Sequence, residues 1–567
     1  MRVLRIILRI LKWLGVAVVV IIVCSYGYMW HLLATSSVTT HGSDDLNTGN
    51  ILAPSERTKT WAKRSSLTDS LLLHWSQREI KDWADDGKVT IPRILIGKLA
   101  TDTDVTFVNQ YLQEREVRGT VGSTGPFHKT GDYDFTLAGL SLLLHSFGDN
   151  PELLHPESVE HIVEVLMTQE GGDPIIWTPR VLGLPLRDTE NHILMTEGSR
   201  YLKNRWNALH GDDAARYDNA TNGLEAYLHE FLHEIERAGF HEYNSRPYQG
   251  YTMTALLNLE AFAAPAVQQT VRGILDRVAW RYALGSLSFR RFPPFRRQAR
   301  QAKSTDLDGD YLTAIIKAWM STGGVEGLQV RSGAHQALWV CLTDYRPPDV
   351  VAEWIVEKPE HYFVRMGHGW DSGPELYSGG PGYLITAGGV ARDRFNQSVS
   401  RPTTLLLDDD AMDLEEVLHV SGPGERFRDW NNTGVHRDFA VAAGPVSIPD
   451  GWDPEARSDR WQVYQKEGII IVVYSTDDLG LFCLFHEGEP DDILSSVRMA
   501  NSVEAQLTGR FTWPSGRTLT YNVASPKDQW VMTTADGDSL DREHTSWPLL
   551  DGDVPGWTHG AGDQGQP

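Results

Sequence analysis

Near Tyr345-Arg-Pro-Pro the residue periodicity changes, and that change limits the possible folds more than any other feature. Upstream, apolar residues recur at helical spacing: Leu224, Leu228, Phe231 and Ile235 follow i, i+4, i+7, i+11, and Leu256, Leu259 and Phe262 do likewise. Ile315 and Trp319 continue the pattern, with Gly and Pro punctuating the gaps, as in GGDP and FRRFPPF. Downstream come short β-rich runs, TTLLL, GIIIVVYS, LGLFCLF, RTLTYNV and QWVMTT, separated by turn clusters such as SGGPG, STDD and WPSG. That density of strands and turns predicts an antiparallel sandwich. A helical half followed by a β half is a multidomain α+β chain. Roughly a dozen helices would stack as hairpins into a bundle, solenoid or toroid, and no fixed-period repeat favours a regular solenoid.

The first forty residues set the cellular context. Arg2, Arg5, Arg9 and Lys12 precede the apolar run LGVAVVVIIVC, and no charged residue follows until Asp44. The 18 uncharged residues from Trp13 to Trp30 suffice to cross a bilayer. The basic flank stays cytoplasmic, which directs the remainder to the periplasmic or extracellular side. No small-x-small cleavage site follows, so the segment reads as an uncleaved anchor, with a cleaved signal as the alternative. The domains expected are an anchor at 1–40, a polar linker at 41–66, a helical domain at 67–345, a β domain at 346–535 and a flexible tail at 536–567.

The net charge of −23 argues against nucleic acid as a partner, because duplex binding needs Lys and Arg to neutralise phosphates. Removing the anchor's four basic residues leaves the exported part at −27. Cys24, Cys341 and Cys483 are too few for a disulfide framework. Nineteen tryptophans supply planar contact surfaces as well as core.

Within the helical half, Asp188-Thr-Glu-Asn191-His192 opens a helical run. Asp188 or Thr189 can cap it, which leaves Asn191 and His192 in the first turn, where free N–H groups and partial positive charge favour a carboxylate. The second segment runs from Gly239 to Tyr251 and holds Glu242, Asn244, Arg246, Tyr248 and Tyr251. Pro247 suits a helix start, and Tyr248 and Tyr251 stand one turn apart with Arg246 immediately before them. Both segments also read as ordinary helix decoration and aromatic core. The run FRRFPPFRRQARQAK is a local reversal of sign. Its Arg290, Arg291 and Arg296 suit a polyanion, a lipid headgroup or acidic loops of the same chain. In the β half, Glu375 and Tyr377 adjoin a glycine-rich turn that can approach the helical domain closely.

Three other patterns carry competing chemistry. His229-Glu-Phe-Leu-His233 is formally HExxH, with Glu260 as a distant third ligand for zinc, but a solvated helix face accounts for the same polar strip. Asp306, Asp308 and Asp310 begin like a calcium loop yet lack its twelfth-position Glu, so they read as a helix cap. Asp132 and Asp134 could serve as the carboxylates of a glycoside hydrolase.

Taken together, an exported helical-plus-β chain with Asn191-His192 and the Glu242–Tyr251 segment resembles the toroid-plus-sandwich polysaccharide lyases, namely the alginate, heparinase II/III-like and chondroitin lyase types. The resemblance implies an α/α toroid and a β-sandwich acting on an acidic, uronate-containing polysaccharide by β-elimination. Asn191 and Arg246 would neutralise the uronate carboxylate, while His192 with Tyr248 or Tyr251 would handle the protons. Glu242, Asn244, Arg290, Arg291, Arg296, Glu375 and Tyr377 would line the substrate path. Such an elimination calls for no metal and no cofactor. The Arg-to-Tyr spacing of two or five residues is shorter than in the alginate group. A non-catalytic glycan binder is the remaining alternative.

Overall fold

The computed structural model describes residues 2–35, 51–81, 83, 90–116, 133–167, 177–181, 184–187, 189–297, 301, 303–331, 334–367, 374–388, 398–420, 433–525, 529–542, 547 and 549–559. The chain is mixed α+β, with an N-terminal apolar helix, a helical region and a C-terminal region of antiparallel sheets.

Helix α1 spans Arg2–Thr35, and its stretch Arg5–Tyr28 is 24 residues long with none of its most apolar window buried against the rest of the protein. At 1.5 Å per residue this stretch is about 36 Å long, enough for a bilayer core of about 30 Å.

Helices α2 (Ser66–Ser76), α3 (Thr90–Ala100), α4 (Val105–Gln113), α5 (Asp134–Phe147) and α6 (Pro156–His161) precede α7 (Glu190–His210). There follow α8 (Leu224–Ala238), α9 (Tyr248–Phe262), α10 (Pro265–Leu284), α11 (Tyr311–Thr322) and α12 (Asp349–Val356). Helix α8 shows the sequence logic plainly: Leu224, Leu228, Phe231 and Ile235 are buried along one stripe. By contrast, α5 and α9 are buried nearly all round, because α5, α7 and α9 pack on one another in the centre of the helical layer. The run of helices goes past the expected boundary at 345, to α12 at Val356.

The largest sheet has seven antiparallel strands, in the order 446–447, 419–420, 403–407, 383–388, 375–380, 362–366 and 551–553. A six-stranded sheet follows, in the order 433–436, 439–442, 480–485, 469–475, 461–466 and 456–458. Helix α13 (Pro490–Ala500) packs on its 456–458 and 461–466 edge. Side-chain alternation explains why the larger sheet is buried on both faces. Tyr377, Leu384 and Leu406 join the apolar cluster of the helical layer, whereas Leu376, Tyr383, Ile385, Leu405 and Leu407 join the cluster shared with the six-stranded sheet. Each such side chain contributes up to about 1.5–3 kcal/mol.

Two stretches expected to be loose are tied down where they are described. Ile51–Leu52 pairs with Thr558–His559, and the N–H groups of Thr58 and Lys59 donate to Asp349 Oδ2 at 2.5 and 3.0 Å. In the stretch expected as a flexible tail, Asp551–Asp553 adds an edge strand beside Tyr362–Met366, and Trp547, Leu549 and Trp557 are buried. Burial of two indoles outweighs the polar composition that suggested disorder.

Candidate functional site

The starts of α5, α7, α9 and α11 carry the candidate chemistry. Asp134 is the first residue of α5, His192 the third of α7, Tyr248 the first of α9 and Tyr311 the first of α11. Helix starts present unpaired N–H groups and partial positive charge, so their grouping favours an anionic ligand.

His192 Nδ1 lies 2.6 Å from Asp134 Oδ2, with the histidine buried and the aspartate partly so. The carboxylate fixes the imidazole with its proton on Nδ1, which turns Nε2 into an acceptor. Phe135 packs edge-on against both His192, at 5.6 Å between centroids, and Tyr251, at 4.6 Å. The Tyr248 ring is 6.5 Å from His192 and 6.4 Å from Tyr251. Tyr251 Oη is 3.2 Å from His335 Nε2, and the Tyr311 ring lies 6.1 Å from Tyr251 and 5.1 Å from His335. Burial pushes the Tyr251 phenol well above its usual value, with the Arg93 charge pulling the other way.

Asn191 is fully buried. Its Oδ1 accepts from Thr189 Oγ1 at 2.5 Å, while its Nδ2 has no hydrogen-bond partner among the described residues. Thr189 occupies the cap position of α7 but spends its hydroxyl on Asn191 rather than on the helix; Asp188 lies outside the described residues. Arg297 donates to Thr189 Oγ1 at 3.2 Å, pairs with Glu242, and sits 4.5 Å from the centre of the Tyr248 ring. Its backbone is left-handed at φ 67°. Burial works against the Arg297 guanidinium, but Glu242 together with Tyr248 and Glu190 raises it and holds the positive charge. Glu190 Oε1 accepts the Glu242 N–H at 2.7 Å, and burial, followed by the Glu242 charge, raises the Glu190 carboxyl well above the usual range.

The structure therefore brings Asn191, His192, Glu242, Tyr248 and Tyr251 into one neighbourhood. Arg246 turns toward an adjoining cavity, where its Nη2 is 3.7 Å from Asp306 and burial lowers its basicity. Asn244 is held by Pro294 O at 3.1 Å and by Arg291. Of the basic run, Arg290 is buried on Asp409 at 2.6 Å and Ala411 O at 2.9 Å, and Arg291 lies 3.6 Å from Asp310. Arg296 is buried in the short strand Phe295–Arg296, which pairs with Ser398–Val399. Glu375 and Tyr377 bond to each other inside the seam between α10 and the sheet, where Arg281 approaches Glu375 at 3.6 Å. These arginines and the Glu375–Tyr377 pair thus join elements of the same chain.

Of the competing patterns, His233 is bonded to Glu236 at 2.6 Å, and Glu260 to Arg272 at 2.9 Å. Asp310 caps α11 by accepting the Thr313 N–H at 2.8 Å. Asp132 lies outside the described residues. Trp319, Trp339, Trp461, Trp530 and Trp547 are fully buried and serve as core. Sequence reasoning overlooked Asp134 as the partner of His192, and it overlooked His335 and Tyr311. Asp134 had a signal, an acid opening a helix, but its partner is 58 residues away; His335 had none.

No family model, characterised protein or solved structure matches the chain.

Proposed function

We propose that this protein is a membrane-anchored enzyme of the cell envelope that cleaves an acidic, uronate-containing polysaccharide by β-elimination. In this reading the helical region is an α/α toroid, the two larger sheets form a β-sandwich, and α1 holds both outside the cytoplasm. The observation that carries the proposal is the grouping of a carboxylate-oriented imidazole, a buried amide with no Nδ2 partner among the described residues, and two tyrosines at helix starts.

The difficulty of the reaction is charge: removing the C5 proton of a uronate leaves a second negative charge on its carboxyl group. The Asn191 amide, the α7 N-terminus and the Arg297 guanidinium offer electrostatic stabilisation there. His192 Nε2 accepts the C5 proton, and Asp134 stabilises the resulting imidazolium. The C4–O bond then breaks as the C4=C5 double bond forms. Tyr251, kept protonated by burial, donates its proton to the departing oxygen and regains one through His335. Tyr248 is within ring-contact distance of both His192 and Tyr251 and orients the sugar. Arg246, given the carboxylate in the sequence reading, instead borders the next sugar position.

The test is incubation of the full chain with a panel of uronate polymers, following ultraviolet absorbance of the unsaturated product. Absorbance that rises for one polymer and is lost in His192→Ala supports the proposal. Reducing ends released without absorbance would replace it with hydrolysis.

A further inference from the structure

The cavity that Arg246 borders measures about 320 Å³, within the range of small-molecule sites. Tyr311 lines it and is also the ring that touches Tyr251 and His335, so the cavity adjoins the proposed catalytic cluster. Its charges are distributed unlike those of an anion site. Among the described residues, Arg246, Lys317 and Arg331 line it together with Asp306, Asp308 and Asp310, three cations against three carboxylates. Every one of these cations has a carboxylate close by. Arg246 is 3.7 Å from Asp306, Arg331 is bonded to Asp306 and lies 3.7 Å from Asp308, and Lys317 is 2.9 Å from Asp308. A sugar carboxylate entering here would have to displace an aspartate already in place and would meet the other two at short range. Ion pairs of this kind still offer carboxylate acceptors and guanidinium donors to vicinal hydroxyls, and the half-buried Tyr311 ring offers an apolar face to a sugar's C–H groups.

We infer that this cavity binds an uncharged, hydroxyl-rich pyranose next to the uronate being cleaved. The substrate is then a heteropolysaccharide in which uronate adjoins a neutral sugar, not a homopolymer of uronates. The inference rests on the reading of the chain as a glycan-cleaving enzyme, and it specifies the polymer.

The test uses the full chain in detergent, with saturation-transfer NMR titrations of methyl glucoside, methyl galactoside and sodium glucuronate at low and high salt. At least one neutral glycoside should bind with the same affinity at both salt levels. Asp308→Asn leaves one positive charge unbalanced, so glucuronate should gain about tenfold at low salt and lose that gain at high salt. Lys317→Met should shift glucuronate the opposite way and spare the neutral glycoside. Neither position caps a helix, and circular dichroism checks that the fold is kept. The inference is overturned if no neutral glycoside binds, if glucuronate displaces the bound neutral glycoside as readily as the glycosides displace one another, or if both variants leave that displacement unchanged. A chain that binds neutral glycosides as described but never yields unsaturated product keeps this inference and loses the elimination. Salt-sensitive glucuronate binding that displaces the neutral glycoside, combined with unsaturated product, does the reverse.

Discussion

Two glycines in the central helices predict opposite outcomes for the same substitution. Gly250 lies between Tyr248 and Tyr251 on α9, where a methyl group would sit 2.5 Å from Tyr311 Cβ, 3.3 Å from its Cδ2 and 3.4 Å from Gln336 Cγ. Carbon atoms pack at about 3.5–4.0 Å, so α9 and α11 would have to part by about 1 Å. Overpacking of this kind costs about 1–3 kcal/mol, and contact with a Cβ rather than a mobile side-chain end places it near the top of that range. The better helix propensity of alanine returns about 1 kcal/mol, so Gly250→Ala should destabilise by about 2 kcal/mol. At Gly198 on α7 the nearest atoms a methyl group would meet belong to the Leu259 side chain, at 3.4–3.7 Å, which is ordinary contact. Gly198→Ala should therefore stabilise by about 1 kcal/mol. Urea titration gives the global values, and amide hydrogen exchange along α9 and α11 locates the change. A Gly250→Ala variant as stable as wild type, or a Gly198→Ala variant less stable, would refute the packing on which the tyrosine geometry depends.

Other outcomes follow from charge and topology. Asp134→Asn should retain the fold but lower the elimination rate by about 10²–10⁴-fold, because the amide neither orients Nδ1–H reliably nor stabilises the imidazolium; a rate within about tenfold of wild type would remove Asp134 from the mechanism. Burial pushes the Lys358 ammonium, whose Nζ donates to Trp354 O, from 10.5 down to about 7. Between those values the unfolded chain binds more protons than the folded one, so stability should rise with pH across that window. Denaturant titrations at both ends should show that slope in the wild type and its loss in Lys358→Met. Truncation after residue 546 removes the Asp551–Asp553 edge strand together with Trp547 and Trp557, and should lower the thermal midpoint measurably; no change would show that the C-terminal stretch is dispensable.

Local order was legible wherever a segment's own pattern determined it. The Leu224–Ile235 stripe became α8, TTLLL became Thr403–Leu407, and GIIIVVYS became Ile469–Ser475. Asn191 and His192 fall in the first turn of a helix, as the capping pattern implied. What could not be read depends on partners far along the chain. The pairing of Ile51–Leu52 with Thr558–His559 has no local signal, and the Asp-Gly-Pro composition near the C-terminus pointed to disorder. Arginines 290 and 291 looked like a basic surface because Asp409 and Asp310, which bury them, lie in later segments. The same limit hid the Asp134–His192 pair, whose two halves were each noticed for a different chemistry.

The central claim is that bond cleavage at this site is an elimination, and the fate of solvent oxygen tests it most directly. Digestion of a susceptible uronate polymer in heavy-oxygen water, followed by mass spectrometry of the oligosaccharides, separates the two reactions. The account predicts products that each carry an unsaturated terminal uronate with no solvent oxygen at the cleaved bond, and their disappearance in His192→Ala. Products that gain one heavy oxygen per cleavage would contradict it.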